Sequence, residues 1–383
     1  MKKQLMVIAS VLLLLILVAV LLVGREATNG TAPNMSYIGV AFGGSTVEEA
    51  KALIDRAKSY TNLFILQSGP ISNNETATSE ICNYATTSGL NIIVYFGDLD
   101  PRILEQKNLT WRLNWINQAK TQYGERFLGV YYYDERGGIY LDVDKTANNW
   151  HLPANATYDS VATSFERGFL EDGGTVALKD AGISIFCSDY ALYWFDYRSG
   201  YDVVLAQVGW NHTLAKDIAL VRGAANFQHK DWGVIITWKY NQTPYLDSGE
   251  AIYEQMRNSY EAGAKYITIF NYPYNSTYGI MEDEHFTALE NLWNDIAQNR
   301  ITQSPSAAEA VLMLPKNYGF GLRYAEDKIW GFWGPDENSS MIYDEVQVLL
   351  NRYGYSLDIA YEDSSFVFPS NYNAVYYWNS TGS

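Results

Sequence analysis

Hydrophobic residues fall into short, evenly recurring runs along the chain. After a polar stretch at 24–35, β-branched and aromatic runs occupy Tyr37–Phe42, Asn62–Gln67, Asn91–Phe96 and Phe127–Tyr132. Four more follow at Ile183–Ser188, Val203–Val208, Trp232–Trp238 and Tyr266–Asn271. Each is almost continuously apolar, as strands covered on both faces are. Between them the apolar spacing changes to the helical period. It predicts helices over Ser45–Tyr60, Thr76–Ser88, Thr110–Tyr123, Tyr158–Glu171, Thr213–Gln228, Ser248–Ala262 and Asp283–Asn299. Ser45-x-x-Glu48 reads as a capping box on the first of these. Gly89, Gly124, Gly182 and Gly263 stand where a helix ends on a left-handed residue. Tyr190–Tyr197 gives the least clear helical pattern. Eight strand–helix units in about 260 residues predict a (β/α)8 TIM barrel over 36–303. An open doubly wound sheet fits less well, because the chain has no Gly-rich phosphate turn.

Ser304–Pro305–Ser306 interrupts the alternation. Beyond it, 304–383 predicts a small C-terminal α/β module. Its parts are strand Ala310–Leu314, a long loop, helix Met341–Tyr353, strand Leu357–Tyr361 and a last strand Ala374–Trp378. The module is short for an independent core and is expected to lean on the barrel. The loop Lys316–Pro335 carries Tyr318, Phe320, Trp330, Phe332 and Trp333. These either seal a seam between the two parts or extend a cleft at the barrel rim.

At the other end, Lys2 and Lys3 precede an apolar run, Leu5–Val23, broken only by Ser10. As a helix this run is about 28 Å long, close to a bilayer core. No small-x-small cleavage site follows Val23. Residues 1–24 therefore predict a membrane anchor rather than a removed signal peptide, and 25–35 a linker. The lysines place the N-terminus in the cytoplasm and the rest outside the cell; cleavage after the apolar run would make the protein secreted instead. Asn-x-Ser/Thr acceptors at Asn29, Asn34, Asn74, Asn108, Asn155, Asn211, Asn241, Asn275, Asn338 and Asn379 fit an exported glycoprotein.

Composition narrows the partners. The 27 basic and 43 acidic residues give a net charge of −16, which argues against nucleic acid. Two cysteines, Cys82 and Cys187, are too few for a disulfide framework and are expected to be buried thiols. The four His are scattered, so neither a metal nor a cofactor is expected. The 31 Tyr, 11 Trp and 15 Phe suit either a large core or a sugar-binding surface, where flat rings stack on pyranose faces.

Barrel active sites lie at the C-terminal ends of the strands. Those ends offer carboxylates at Asp98, Asp134, Glu135 and Asp189. They also offer Tyr133, Tyr190, Trp210, Trp238, Tyr240 and Tyr272 to line sugar subsites, and Gln207, Lys239 and Asn271 to bind hydroxyls. Glycoside cleavage uses that combination: one carboxylic acid protonates the leaving oxygen, and a second carboxylate attacks or activates water. Taken singly, Asp98, Asp134 and Asp189 are equally placed to cap the following helices or to pair with Arg136 or Lys239.

The segment GVYYYDERGG, Gly129–Gly138, resembles the end of strand 4 in barrel glycoside hydrolases, where an Asn-Glu or Asp-Glu pair carries the acid/base Glu. The resemblance implies that role for Glu135. The acidic run is also similar to strand 4 of chitinase-like barrels, although Tyr131 and Tyr133 stand where that family has Asp. Retaining hydrolases with a strand-4 Glu place a nucleophilic Glu at the end of strand 7. Here Ile236–Asn241 contains no acid, and the nearest, Glu250, lies in the next helix. Asp189 is then the first candidate for the second carboxylate, followed by Asp134 and Asp98. The barrel together with PKNYGFGLR, DKIWGFWGPDE and LDIAYED of the C-terminal module resembles uncharacterised archaeal surface proteins with a hydrolase-like TIM barrel. Three readings follow: a membrane-anchored extracellular glycoside hydrolase, a non-catalytic glycan-binding envelope protein on the same scaffold, or a lyase or esterase. The last lacks a Gly-x-Ser-x-Gly elbow.

Overall fold

A computed structural model of the chain describes residues 36–210, 212–274, 276–304, 308–369 and 372–379. The expected anchor Leu5–Val23 lies outside these residues, and no helix among the described residues is long and apolar enough to cross a membrane. Strands β1 (Tyr37–Phe42), β2 (Leu63–Leu66), β3 (Asn91–Phe96), β4 (Phe127–Tyr132), β5 (Ile185–Asp189), β6 (Val203–Val208), β7 (Asp231–Ile236) and β8 (Tyr266–Asn271) close into a barrel. All neighbours are parallel, and β8 pairs back onto β1 from Tyr37↔Tyr266 to Phe42↔Asn271. This is the (β/α)8 architecture that the alternating pattern predicts.

The helices are α1 (Val47–Ala57), α2 (Glu75–Thr87), α3 (Pro101–Gln106), α4 (Trp111–Tyr123), α5 (Arg136–Asp142), α6 (Tyr158–Leu170), α7 (Gly173–Asp180), α8 (Tyr193–Ser199), α9 (Leu214–Gln228), α10 (Gly249–Glu261) and α11 (Asp283–Ala297). The first begins one residue later than the sequence suggests: Thr46 and Glu49, not Ser45 and Glu48, form the reciprocal capping box. The short helices α3, α5 and α7 escape the sequence pattern, since six to eight residues hold barely two turns of periodicity. Gly89, Gly124, Gly182 and Gly263 all have positive φ, as expected of helix-ending glycines.

Two apolar layers follow from the strands' period of two. Val130, Tyr132, Ile185, Cys187, Val204, Ala206 and Val208 face outward to the helices. Ile65, Ile93, Tyr131, Phe186, Leu205 and Ile235 fill the barrel interior. This alternation decides which residues reach the mouth. It sends Gln67, Tyr131, Ser188 and Gln207 inward, and Asp189 and Asn271 outward.

The C-terminal module is a three-stranded parallel sheet of β9 (Ala310–Leu314), β10 (Leu357–Tyr361) and β11 (Ala374–Tyr377), in the order β10-β9-β11, with helix α12 (Glu337–Tyr353). Helix α12 starts four residues before the predicted Met341, where Asp336 caps it together with Ser339. The sheet packs on α9. A Cβ at Gly223 of α9 would meet the Ile359 carbonyl oxygen at 2.2 Å, so only glycine allows this approach. At the centre of the contact Arg222 and Asp358 form a buried ion pair of 2.7 Å. Trp330, fully buried, packs on Phe195 and Phe165 with centroids at 4.5 and 5.6 Å. Most of the aromatic loop therefore seals the seam. Both cysteines are buried free thiols.

Candidate active site at the barrel mouth

Strand β4 ends in a strained turn. Tyr133 and Glu135 both have left-handed backbone, with φ of 56° and 53°. That conformation costs a non-glycine residue about 1 kcal/mol or more, and such residues gather at functional sites. Leu192, Trp210 and Tyr245, which follow β5, β6 and β7, share it. The Glu135 N–H donates to the Ser188 carbonyl oxygen at 2.9 Å, and helix α5 starts at the next residue.

Inside this turn two adjacent carboxyls are wired together. Gln207 Nε2 donates to Glu135 Oε1 at 2.7 Å and to Ser188 Oγ at 3.0 Å. Ser188 Oγ donates to Asp134 Oδ1 at 3.0 Å, and the Tyr131 hydroxyl donates to the same oxygen. Gln67 Nε2 reaches the Tyr131 hydroxyl at 3.2 Å. Asp134 keeps some surface at the rim, but its carboxyl is enclosed by this network. Burial, and then the neighbouring Glu135 charge, push Asp134 up to about 7, although Tyr131 and Ser188 pull the other way. Asp134 is thus held in its protonated form up to near neutrality, beside the Glu135 carboxyl.

The other two predicted carboxylates stand elsewhere. Asp189 has outward parity and is fully buried behind the turn. It accepts N–H bonds from Gly137 (2.5 Å), Gly138 (2.8 Å), Tyr190 (2.7 Å) and Ala191 (3.2 Å). Two of those donors are orphan amides in the first turn of α5, so Asp189 caps the helix that carries Glu135. Burial pushes its carboxyl up to about 6 against the pull of these donors. Gly138 is required here, because a Cβ would meet the Tyr190 ring at 2.1 Å. Asp98 lies beyond β3, where Lys107 Nζ approaches it at 3.3 Å.

Glu135, Gln207, Tyr190, Trp210 and Trp238 line one cleft of about 440 Å³ at the mouth, together with Asp142, His212 and Arg323. The aromatic rim continues outward: Trp238 lies 6.5 Å from Trp210 and 4.7 Å from Tyr272, centroid to centroid, and Tyr272 and Tyr240 are exposed. Tyr133 is exposed as well but packs on Tyr132 and Phe169. Lys239 is held at 2.8 Å by Asp247, a carboxylate of the loop after β7 that lies beyond the strand end. Asn271 lies buried beside Phe42, Gly44 and Gly279, lining a separate tight pocket. A depression of about 680 Å³ lies elsewhere, on the outer faces of α1 and α2, where the Lys51–Glu80 ion pair engages its charges. Among the described residues no group of three His, Cys, Asp or Glu is arranged to hold a metal ion.

Tyr131, Ser188, Asp142, His212 and Arg323 were not singled out from sequence. Parity would have found the first two. Arg323 comes from the C-terminal module, 181 residues from its partner Asp142, and no local pattern announces that contact.

Behind the site lies a third raised carboxyl. Asp196 is fully buried, and neither of its oxygens has a hydrogen-bond partner. Burial and then the Asp189 charge hold it well above the usual carboxylate range, with Arg136 in opposition. Asp134, Asp189 and Asp196 thus bind protons more tightly folded than unfolded, where an aspartate titrates near 3.8. Their contribution to stability is complete below about pH 4 and is lost as pH rises through 6 and 7, at up to about 1.4 kcal/mol per pH unit for each group. Asp142 and Asp363 have lowered values and act oppositely below about pH 4. Thermal melting is therefore expected to peak at about pH 4–5 and to fall towards pH 8. Asp196→Asn should flatten that fall while leaving the acid-side melting temperature unchanged; an equally steep fall in the variant would count against a protonated Asp196.

No protein-family model and no curated protein matches the sequence. Solved structures match the chain at low similarity. An α-L-fucosidase isoenzyme 2 from Paenibacillus thiaminolyticus is 12% identical with a TM-score of 0.47, the match covering 89% of this chain and 60% of that one. This chain therefore spans less than two thirds of that enzyme's length. A broad-specificity endoglucanase from an uncultured bacterium is 10% identical with a TM-score of 0.41, covering 68% of this chain and 94% of that one. A 3-hexulose-6-phosphate synthase, 12% identical with a TM-score of 0.36, covers 67% and 98%. At such identities and TM-scores the likeness carries no argument about this chain, and both fold and chemistry rest on its own residues.

Proposed function

We propose that the barrel mouth is the active site of a carboxylate glycoside hydrolase. The observation that carries this reading is the Asp134–Glu135 pair, linked through Ser188 and Gln207 below an aromatic cleft. Glu135 reaches the cleft; it protonates the departing glycosidic oxygen and then, as the carboxylate, takes a proton from the water that adds to the anomeric carbon. Asp134 lies beside Glu135, bonded by Tyr131 and Ser188 and raised by burial towards neutrality, so that it can carry a proton next to that carboxyl. Trp238, Trp210 and Tyr190 supply stacking faces and Gln207 an amide for hydroxyls. The apolar run Leu5–Val23 and the ten sequons support a barrel tethered outside the cell.

One observation favours a second reading, a glycan-binding protein without turnover: no unpaired acid stands at the end of β7, where Asp247 is engaged by Lys239. The two readings part on Trp238→Ala. In a hydrolase the loss of one stacking face raises KM about tenfold and leaves kcat nearly unchanged. In a pure binder the same variant loses glycan affinity, and no preparation releases sugar.

A further inference from the structure

A second cleft, of about 580 Å³, adjoins the mouth, and Asp142 lines both. One wall is the barrel loop around 143–152; the other is the segment 328–332 of the C-terminal module. Trp150 and Phe332 are on its lining, and Tyr140 backs them. Tyr140 lies 5.5 Å from Trp150 and 6.0 Å from Phe332, centroid to centroid, and Trp150 leaves 42% of its surface to solvent. Lys145 ties these rings together: its ammonium sits 3.8, 4.6 and 4.8 Å from the centroids of Tyr140, Trp150 and Phe332 and donates to the Tyr140 carbonyl oxygen. Gly331, at φ 68°, lets the C-terminal segment close on this group; a Cβ would meet the Tyr140 carbonyl oxygen at 2.5 Å.

The charges are lopsided. Asp142 is paired with Arg323 at 2.8 Å and accepts from the Tyr190 hydroxyl at 2.9 Å; Asp144, exposed and bonded to the Ala147 N–H at 3.0 Å, keeps its charge and stands against two cations, Lys145 and Lys328. Lys328 is half-buried on the cleft wall, and none of the ion pairs among the described residues includes it. Burial, and then the Lys328 ammonium, lower Lys145 to about 8, as expected where two cations face one cavity. In a chain of net charge −16, such a spot favours an anionic ligand.

We propose that this cleft is a distal subsite for a sugar bearing a carboxylate or a sulfate, with Trp150 stacking on its ring and Lys328 pairing with its anion, so that the ligand is an acidic polysaccharide running from the mouth past Asp142. The proposal rests on the glycan reading of the mouth and narrows it to a substrate class. The C-terminal module is then half of the groove, and chain length matters to affinity.

The test is direct binding to the full-length Glu135→Gln protein, which does not consume its ligand. Oligo-uronates, sulfated oligosaccharides and neutral oligosaccharides of equal length are titrated by calorimetry and tryptophan fluorescence. Acidic chains should bind about tenfold tighter than neutral ones, with the preference shrinking in high salt. Adding Lys328→Gln should erase that preference. Adding Trp150→Ala should weaken long chains about tenfold and disaccharides by less than about twofold. The tighter of the two acidic classes identifies the anion. Equal affinity for acidic and neutral chains, or a preference that survives Lys328→Gln in a variant with the parent's melting temperature, overturns the proposal. Because no turnover is needed, absence of hydrolysis counts against the reading of the mouth and leaves the subsite standing.

Discussion

Glu135→Gln is expected to lower kcat for glycoside hydrolysis by about 10³-fold, within the range that general acid–base catalysis supplies. Glutamine keeps the shape and can still meet Gln207 through its carbonyl oxygen, so the turn and the cleft should survive. What disappears is the exchangeable proton. The loss should therefore depend on the leaving group: large for a natural sugar leaving group, which must be protonated, and much smaller for an activated phenol, which departs unaided. Substrate affinity should change little. A uniform loss across leaving groups would assign Glu135 to binding or structure. Asp134→Asn acts differently. It fixes the partner in its neutral form and should remove the part of the pH–rate profile that follows Asp134 near pH 7.

Arg222→Ala is expected to destabilise the protein by about 3–5 kcal/mol, the cost of leaving a buried charge unpaired. The guanidinium donates from Nε to Asp358 and from Nη2 to the carbonyl oxygens of Tyr355 (2.8 Å) and Leu357 (2.9 Å), with both ion-pair members out of solvent. Without it, Asp358 keeps only Asn226 at 2.9 Å and the Tyr372 hydroxyl at 2.7 Å. Urea unfolding of Arg222→Ala and of Arg222→Ala/Asp358→Asn measures this. The double variant should recover a good part of the loss, since the orphaned charge is gone. A loss below about 1 kcal/mol in the single variant would mean that the module is not anchored through this pair. The sequence suggests that the module leans on the barrel; Arg222 fastens it from α9, together with Lys216 of the same helix, which donates to the Leu322 carbonyl oxygen at 2.7 Å.

The barrel was legible because its strands announce themselves locally. β1, β3, β4, β6 and β8 run between the same residues in the sequence pattern and in the structure. Runs of six β-branched and aromatic residues leave little choice. The site was legible in position but only partly in membership. The set of strand-end residues includes Glu135, Asp134, Gln207, Tyr190, Trp210 and Trp238, which the structure places at one mouth. It also gathers Asp189 and Asn271, which the alternation of each strand turns outward. Counting by twos from Phe186 reaches Ser188, and from Tyr266 reaches Phe270. That simple parity would have removed both misplaced residues and added Tyr131 and Ser188. Contacts with Arg323, Lys328 and Phe332 had no such signal. They depend on how a distant loop settles against the rim, and that depends on side-chain packing around Trp330.

The central claim is that the Asp134–Glu135 pair cleaves glycosidic bonds. Its most direct test is the release of reducing ends from a panel of acidic and neutral polysaccharides by the full-length protein, with Glu135→Gln in parallel. The parent is expected to release reducing ends from at least one polysaccharide, acidic or neutral, and the variant none above background, while both still bind it. Equal release by both, or binding by both with release by neither, would contradict the claim.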